Sequence, residues 1–146
     1  SLTCSPNLKN KKFDLVVLRH NLEHLLDPRG TLIRLKELLT PNGLILLVVP
    51  NAENPSLHKG FRTSFIRPVH ISYFCETNLL RLARSVGLDT VVCNTTGEIS
   101  LLLRSNRNAE QPDVSCYLEQ KQIFLKKARK ALLIDTVKIL RSSIHA

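Results

Sequence analysis

The fold is decided by residues 13–51, which read FDLVVLRHNLEHLLDPRGTLIRLKELLTPNGLILLVVPN. The apolar runs at residues 13–18 and 44–49 each have the length of a strand buried on both faces of a parallel sheet. Between them, Asp27 can cap a helix and Pro28 suits its first turn. Leucines then recur at helical spacing. A strand, a helix and a second strand in so short a stretch predict a right-handed parallel crossover, and therefore an α/β fold.

Local signals predict the remaining elements, most of them on the C-terminal side of this unit. They are a turn at residues 40–43, an irregular loop at 51–72, a helix from Thr77 to Gly87, and strands at 88–93 and 99–103, the last one antiparallel. A polar loop as long as residues 51–72 is uncommon in a compact domain unless it serves a function.

Charge divides the chain into three parts. The net charge is +9, and the excess lies in a basic lead-in at residues 1–12 and in residues 105–146, a polar linker followed by a basic amphipathic helix. The domain between them, residues 13–104, is nearly neutral. Basic ends can bind an anionic membrane surface or an acidic partner, or can simply be solvated. Nucleic acid is the less favoured partner, because the chain has only two Tyr and five Phe and no known binding motif.

The cysteines do not indicate a metal site. Cys4, Cys75, Cys93 and Cys116 form no CxxC pair and have no close pair of histidines at zinc-ligand spacing. Without secretory features, reduced and mostly buried thiols in a cytoplasmic protein are expected. The sequence therefore assigns no metal ligands.

Three stretches together suggest a family. Residues 13–28, FDLVVLRHNLEHLLDP, resemble the fourth strand and following loop of class I S-adenosylmethionine-dependent methyltransferases. Residues 38–51, LLTPNGLILLVVPN, resemble the turn and fifth strand of that family, with Asn42 in place of a usual glycine. Residues 70–88, HISYFCETNLLRLARSVGL, resemble the segment that follows in its small-molecule members. The resemblance covers about residues 13–104.

The resemblance implies a partial Rossmann-like sheet, namely strands four to seven with the last one antiparallel, followed by a C-terminal helix. The glycine-rich loop that cradles the cofactor in this family is missing, because glycines occur only at positions 30, 43, 60, 87 and 97, with no GxG. We therefore expect that the chain is part of a longer protein, that its first strand forms an exposed edge, and that alone it binds S-adenosylmethionine weakly or not at all.

The resemblance also assigns site residues. Arg19, His20, Asn21 and Glu23 map to the wall of the cofactor pocket. His20 is the candidate general base, because imidazole titrates near neutral pH and could take a proton from a hydroxyl acceptor. The alternative is that His20 only lines the wall. For Glu23 and His24, orienting the loop is the favoured role.

Acceptor binding falls on the loop after the fifth strand, where the resemblance places Asn51, Glu53 and His70. A packed structural histidine is an equally good interpretation of His70. The predicted function is S-adenosylmethionine-dependent methylation of a small-molecule or glycan- or lipid-linked acceptor. The alternative is a non-catalytic remnant that pairs its open sheet edge with another chain, either a second copy or a separate N-terminal half.

Overall fold

The computed structural model describes residues 11–54 and 69–106 of the 146-residue chain. The elements are β1 (Phe13–Arg19), a 3-10 turn (Leu22–His24), α1 (Pro28–Glu37), β2 (Leu39–Pro50), α2 (Glu76–Ser85), β3 (Leu88–Asn94) and β4 (Glu98–Ser105). Most of the predicted loop at residues 51–72, the basic lead-in up to residue 10 and the predicted C-terminal helix lie outside the described residues. No helix in the described ranges is both long and apolar enough for a membrane span.

The four strands form one sheet in the order β1-β2-β4-β3. β1 pairs with β2 in parallel, and β4 lies antiparallel between β2 and β3. The prediction of an α/β, partial Rossmann-like methyltransferase sheet with an antiparallel last strand is confirmed.

The core lies between the sheet and the two helices, and β2 is its centre. Alternate side chains of β2 are fully buried because the strand is paired on both sides and covered by helices. The core side chains without exposed surface are Leu22, Leu32, Ile45, Leu47, Val49, Leu79, Ala83, Leu88, Ile99, Leu101 and Leu103.

Helix α1 begins where the sequence predicts. Asp27 Oδ1 accepts a hydrogen bond from the Gly30 amide at 2.8 Å, and Pro28 occupies the first turn, where its missing N–H is no loss. Helix α2 ends in the predicted manner as well, with Gly87 at a φ of 73°. Local capping signals therefore set the start of α1 and the end of α2.

The predicted turn at residues 40–43 is wrong in its detail. These residues lie within β2, which begins at Leu39. Phe13 pairs with Leu39 and Leu15 with Leu44, so β2 carries extra residues that bulge out of the ladder. The strand starts early because pairing with β1 already begins at Leu39.

The prediction that β1 is buried on both faces is also wrong for the described part of the chain. Leu15 is 52% exposed and Val17 is 55% exposed, whereas Val16 and Leu18 pack against the core. The reason is that the side chains of Leu15 and Val17 point to the face of the sheet opposite the core. In addition, β1 is an edge strand of the described sheet, with β2 as its neighbour. An apolar edge of this kind is open to pairing with a further strand.

Gly43 provides a test of the bulge. A Cβ atom added there would lie 2.7 Å from the Phe13 carbonyl oxygen and 3.0 Å from the Thr40 amide nitrogen. Because both neighbours are backbone atoms, we expect Gly43→Ala to lower the free energy of unfolding by about 1–3 kcal/mol. Urea unfolding measures this. The exposed Asn42→Ala variant is the matched control, and an equal loss in both variants would contradict the close backbone approach.

Candidate functional site

The candidate site lies at the carboxyl ends of β1 and β2. Because these strands are parallel and adjacent, the loops that follow them leave the sheet at the same edge. Ligands of open α/β sheets bind at this edge. β4 begins there too, since Glu98 pairs with Pro50. The sequence-predicted residues Arg19, His20 and Asn51 therefore come from neighbouring strand ends.

His20 is held in an unusual conformation directly after β1. Its φ is 49°, the left-handed region that non-glycine residues rarely occupy, and its amide donates to the Val48 carbonyl at 2.9 Å. The His20 Nε2 atom lies 2.8 Å from Glu98 Oε1, and Arg19 Nη2 lies 3.5 Å from Glu98 Oε2. The His20 side chain is 42% exposed, so it is both oriented and accessible.

The loop after β1 is held in place by backbone hydrogen bonds and by one buried side chain. Asn21 is exposed and its carbonyl accepts from the His24 amide at 3.0 Å, which closes the 3-10 turn. Leu22 is fully buried in the core. The Glu23 carbonyl accepts from the Ile71 and Ser72 amides at 2.9 and 3.0 Å. The loop is thereby tied to the segment that precedes α2.

The side chain of Glu23 points inward. It is 2% exposed, and its carboxylate forms a cluster with His24 and His70 in which the potential ligand atoms lie within 4.8 Å of one another. The sequence assigns no metal ligands, and it missed this cluster because His24 and His70 come from segments far apart in the chain. The bonds from the Ile71 and Ser72 amides to the Glu23 carbonyl, and the contact of His24 Nδ1 with the Val69 carbonyl, bring those segments together.

Asn51 connects three parts of the site. Its Oδ1 accepts from the Glu53 amide at 2.9 Å, and its Nδ2 donates to the Thr95 carbonyl at 3.4 Å. Its backbone also forms a parallel bridge with Phe74. Asn51 is 7% exposed, so its amide is largely occupied in holding the loop after β2, whereas Glu53 is partly exposed.

The structure therefore groups six of the seven predicted site residues in three pairs, and the exposed Asn21 belongs to none of them. Arg19 and His20 meet through Glu98, Glu23 meets His70, and Asn51 binds Glu53. Sequence reasoning missed Glu98, which opens a strand with no motif of its own. Only the strand order, which inserts β4 beside β2, places its carboxylate next to His20.

A cleft of about 330 Å³ lies at the opposite end of the sheet and does not coincide with these residues. It surrounds the start of β2 and is lined by Lys12, Lys36, Glu37, Leu39, Thr40, Pro41 and Ser105. The strand topology favours the carboxyl edge as the ligand site, because the loops that follow the parallel strands β1 and β2 converge there.

The two described cysteines differ in environment. Cys75 is buried, as expected, whereas Cys93 is exposed on β3. Partial desolvation raises the pKa of the Cys93 thiol, and the Glu76 carboxylate raises it further through its charge and through a hydrogen bond from Sγ at 3.8 Å. A raised pKa keeps this thiol protonated and weakly nucleophilic at neutral pH.

A known protein family matches most of this sequence. Residues 4–93 match the family described as a methyltransferase domain, which is more than half of the chain. The chain belongs to this methyltransferase-domain family, and the resemblance to class I S-adenosylmethionine-dependent methyltransferases is confirmed. No curated protein matches the chain significantly.

Solved structures share the fold at low sequence identity. The CcbJ methyltransferase from Streptomyces caelestis has a TM-score of 0.53 and 15% identity, over 66% of this chain and 59% of that one. A putative methyltransferase in complex with the Haloferax volcanii Trm112 activator has a TM-score of 0.56 and 14% identity, over 68% and 57%.

A third similar structure, the DhpI complex with SAH, has a TM-score of 0.51 and 14% identity, over 68% of this chain and 50% of that one. The chain thus spans between half and three fifths of the length of these three methyltransferases. At these identities the likeness describes the fold alone.

The role of Asn51 as a connector can be tested directly. Asn51→Ala removes both side-chain hydrogen bonds and leaves the Glu53 amide and the Thr95 carbonyl without that partner. We expect the free energy of unfolding to fall by about 1–3 kcal/mol, because each of the two lost hydrogen bonds contributes about 0.5–1.5 kcal/mol. The midpoint of urea unfolding at unchanged slope measures this. The exposed Asn54→Ala is the control, and equal midpoints for both variants would contradict the role.

Proposed function

We propose that this protein is an S-adenosylmethionine-dependent methyltransferase that acts on a small-molecule or a glycan- or lipid-linked acceptor in the cytoplasm. The observation that carries the proposal is the convergence of the loops after β1 and β2 at one sheet edge, in a chain that belongs to a methyltransferase-domain family. The SAH-bound DhpI structure, which shares the fold, supports the choice of methyl donor.

Methyl transfer from a sulfonium requires little covalent help from the protein. The donor is already activated, so positioning, in-line orientation and, for some acceptors, removal of one proton account for most of the catalysis. The protein must therefore hold the donor against one wall and supply an oriented base. In this proposal Arg19, His20 and Asn21 contribute part of that wall, and His20 is the base.

The pairing of His20 with Glu98 defines which nitrogen acts. A carboxylate can only accept, so the contact of 2.8 Å between Nε2 and Glu98 Oε1 favours the tautomer with the proton on Nε2. Nδ1 is then unprotonated and can accept the proton of an acceptor hydroxyl. Glu98 orients the ring and stabilises the imidazolium that forms, as a carboxylate does beside other catalytic histidines.

The other predicted residues take supporting roles in this proposal. Arg19 and Asn21 line the cofactor wall beside His20, and Glu23 supports that wall from inside through its backbone contacts. Asn51 shapes the loop that contributes to the acceptor side, with Glu53 and His70 as its polar groups. The acceptor itself enters over the residues that follow β2.

The second candidate function is a partner module without catalysis. It is favoured by one observation, the position of the apolar β1 as an edge strand of the sheet that the described residues form. Such an edge can pair with a second copy of the chain or with a separate N-terminal half. Binding of SAH by the full natural polypeptide, measured by calorimetry, distinguishes the two: the methyltransferase binds it, and the non-catalytic module does not.

The catalytic role of His20 predicts a specific defect. His20→Asn retains a residue that tolerates a positive φ but removes the base. We expect kcat for methyl transfer to fall by about 10²–10⁴-fold, with the affinity for SAH changed far less. Methyl transfer is measured with labelled donor across an acceptor panel, using the full natural polypeptide.

Arg84→Gln, on the exposed face of α2, is the control and keeps the activity of the unaltered protein. An unchanged kcat in His20→Asn would show that His20 only lines the pocket. Loss of SAH affinity with an unchanged kcat would place it in cofactor binding alone.

A further inference from the structure

The cluster of Glu23, His24 and His70 carries an inference that methyl transfer does not require. Glu23 and His24 belong to the loop after β1, and His70 belongs to the segment before α2. Their potential ligand atoms lie within 4.8 Å of one another. The cluster is therefore a convergence of one carboxylate and two imidazoles from two separate segments.

The buried carboxylate is the first argument. Glu23 is 2% exposed, and neither of its carboxylate oxygens has a hydrogen-bond partner among the residues that the structure describes. Buried polar groups are otherwise nearly always paired, and a buried charge is costly unless an opposite charge compensates it. A carboxylate in this position needs a proton or a cation beside it.

The orientation of His24 is the second argument. Its Nδ1 lies 2.8 Å from the Val69 carbonyl oxygen, which can only accept, so Nδ1 carries a proton. In the neutral ring, Nε2 then presents its lone pair to Glu23 Oε1 at 3.7 Å. A backbone carbonyl that fixes the outer nitrogen in this way is the usual support of a metal-binding histidine.

The distances are the third argument. The 3.7 Å between His24 Nε2 and Glu23 Oε1 exceeds a hydrogen bond. Bonds from zinc to nitrogen and oxygen are about 2.0–2.2 Å, so two ligands of one ion stand roughly 3–4 Å apart. His70 completes the set, since its ring meets that of His24 edge-on with centroids 4.9 Å apart.

We infer that Glu23, His24 and His70 bind a divalent transition-metal cation of the zinc type. Two imidazoles and one carboxylate suit Zn²⁺ and Co²⁺, and a hard cation such as Mg²⁺ would prefer oxygen ligands alone. The ion clasps the loop after β1 to the segment before α2, adding to the two backbone bonds that Glu23 already accepts. The site goes beyond the proposed methyl transfer: it shares Glu23 and His70 with the residues given to that function, but binding of the ion does not require methyl transfer.

The test is a titration of the chelator-treated full natural polypeptide with ZnCl₂ by calorimetry and with CoCl₂ by visible absorption. We expect one ion per chain, a Co²⁺ spectrum of low coordination number, and a raised thermal midpoint on binding. Glu23→Gln and His70→Asn should each weaken the affinity for Zn²⁺ by at least about 100-fold. His20→Asn, a histidine outside the cluster, should change it less than about twofold.

Two results would overturn the inference. One is the absence of stoichiometric binding. The other is equal Zn²⁺ affinity in the unaltered protein and in His70→Asn, which would place the ion elsewhere. Because His70 is only partly buried, that variant remains informative even if Glu23→Gln does not fold. These readouts do not involve methyl transfer, so they stand apart from the test of the proposed function.

Discussion

The parallel pairing of β1 with β2 is the interaction on which the rest of the structure depends. Its register runs from Leu15 opposite Leu44 to Arg19 opposite Val48. Parallel strands end at the same edge, so this pairing brings the loop that contains His20 next to the loop that contains Asn51. The His20 amide extends the pairing by one bond to Val48 and thereby fixes the start of the candidate site.

The antiparallel β4 contributes an acidic side chain to the edge where the two parallel strands end. It runs back along β2, so its first residue, Glu98, reaches the edge where the parallel strands end. There its carboxylate meets the side chains of Arg19 and His20. The left-handed φ of His20 is held by the hydrogen bond from its amide to Val48 and by the contact of its ring with Glu98.

Much of this could be predicted from the sequence, because the signals are local. Apolar runs marked the strands, Asp27 and Pro28 marked the start of α1, and Gly87 marked the end of α2. The bulge at the start of β2 could not be predicted, since it depends on pairing with Phe13. Glu98 and the cluster of Glu23, His24 and His70 were missed for the same reason: each needs contacts between segments that only the strand order and the loop bonds create.

We propose that the carboxyl edge of β1 and β2 binds the cofactor. This is tested by a titration of the full natural polypeptide with SAH, followed by amide correlation spectra. We expect the largest amide shifts at Arg19, His20 and Asn51. Shifts confined to the cleft around Lys12, Lys36 and Thr40, or no shifts at all, would contradict it.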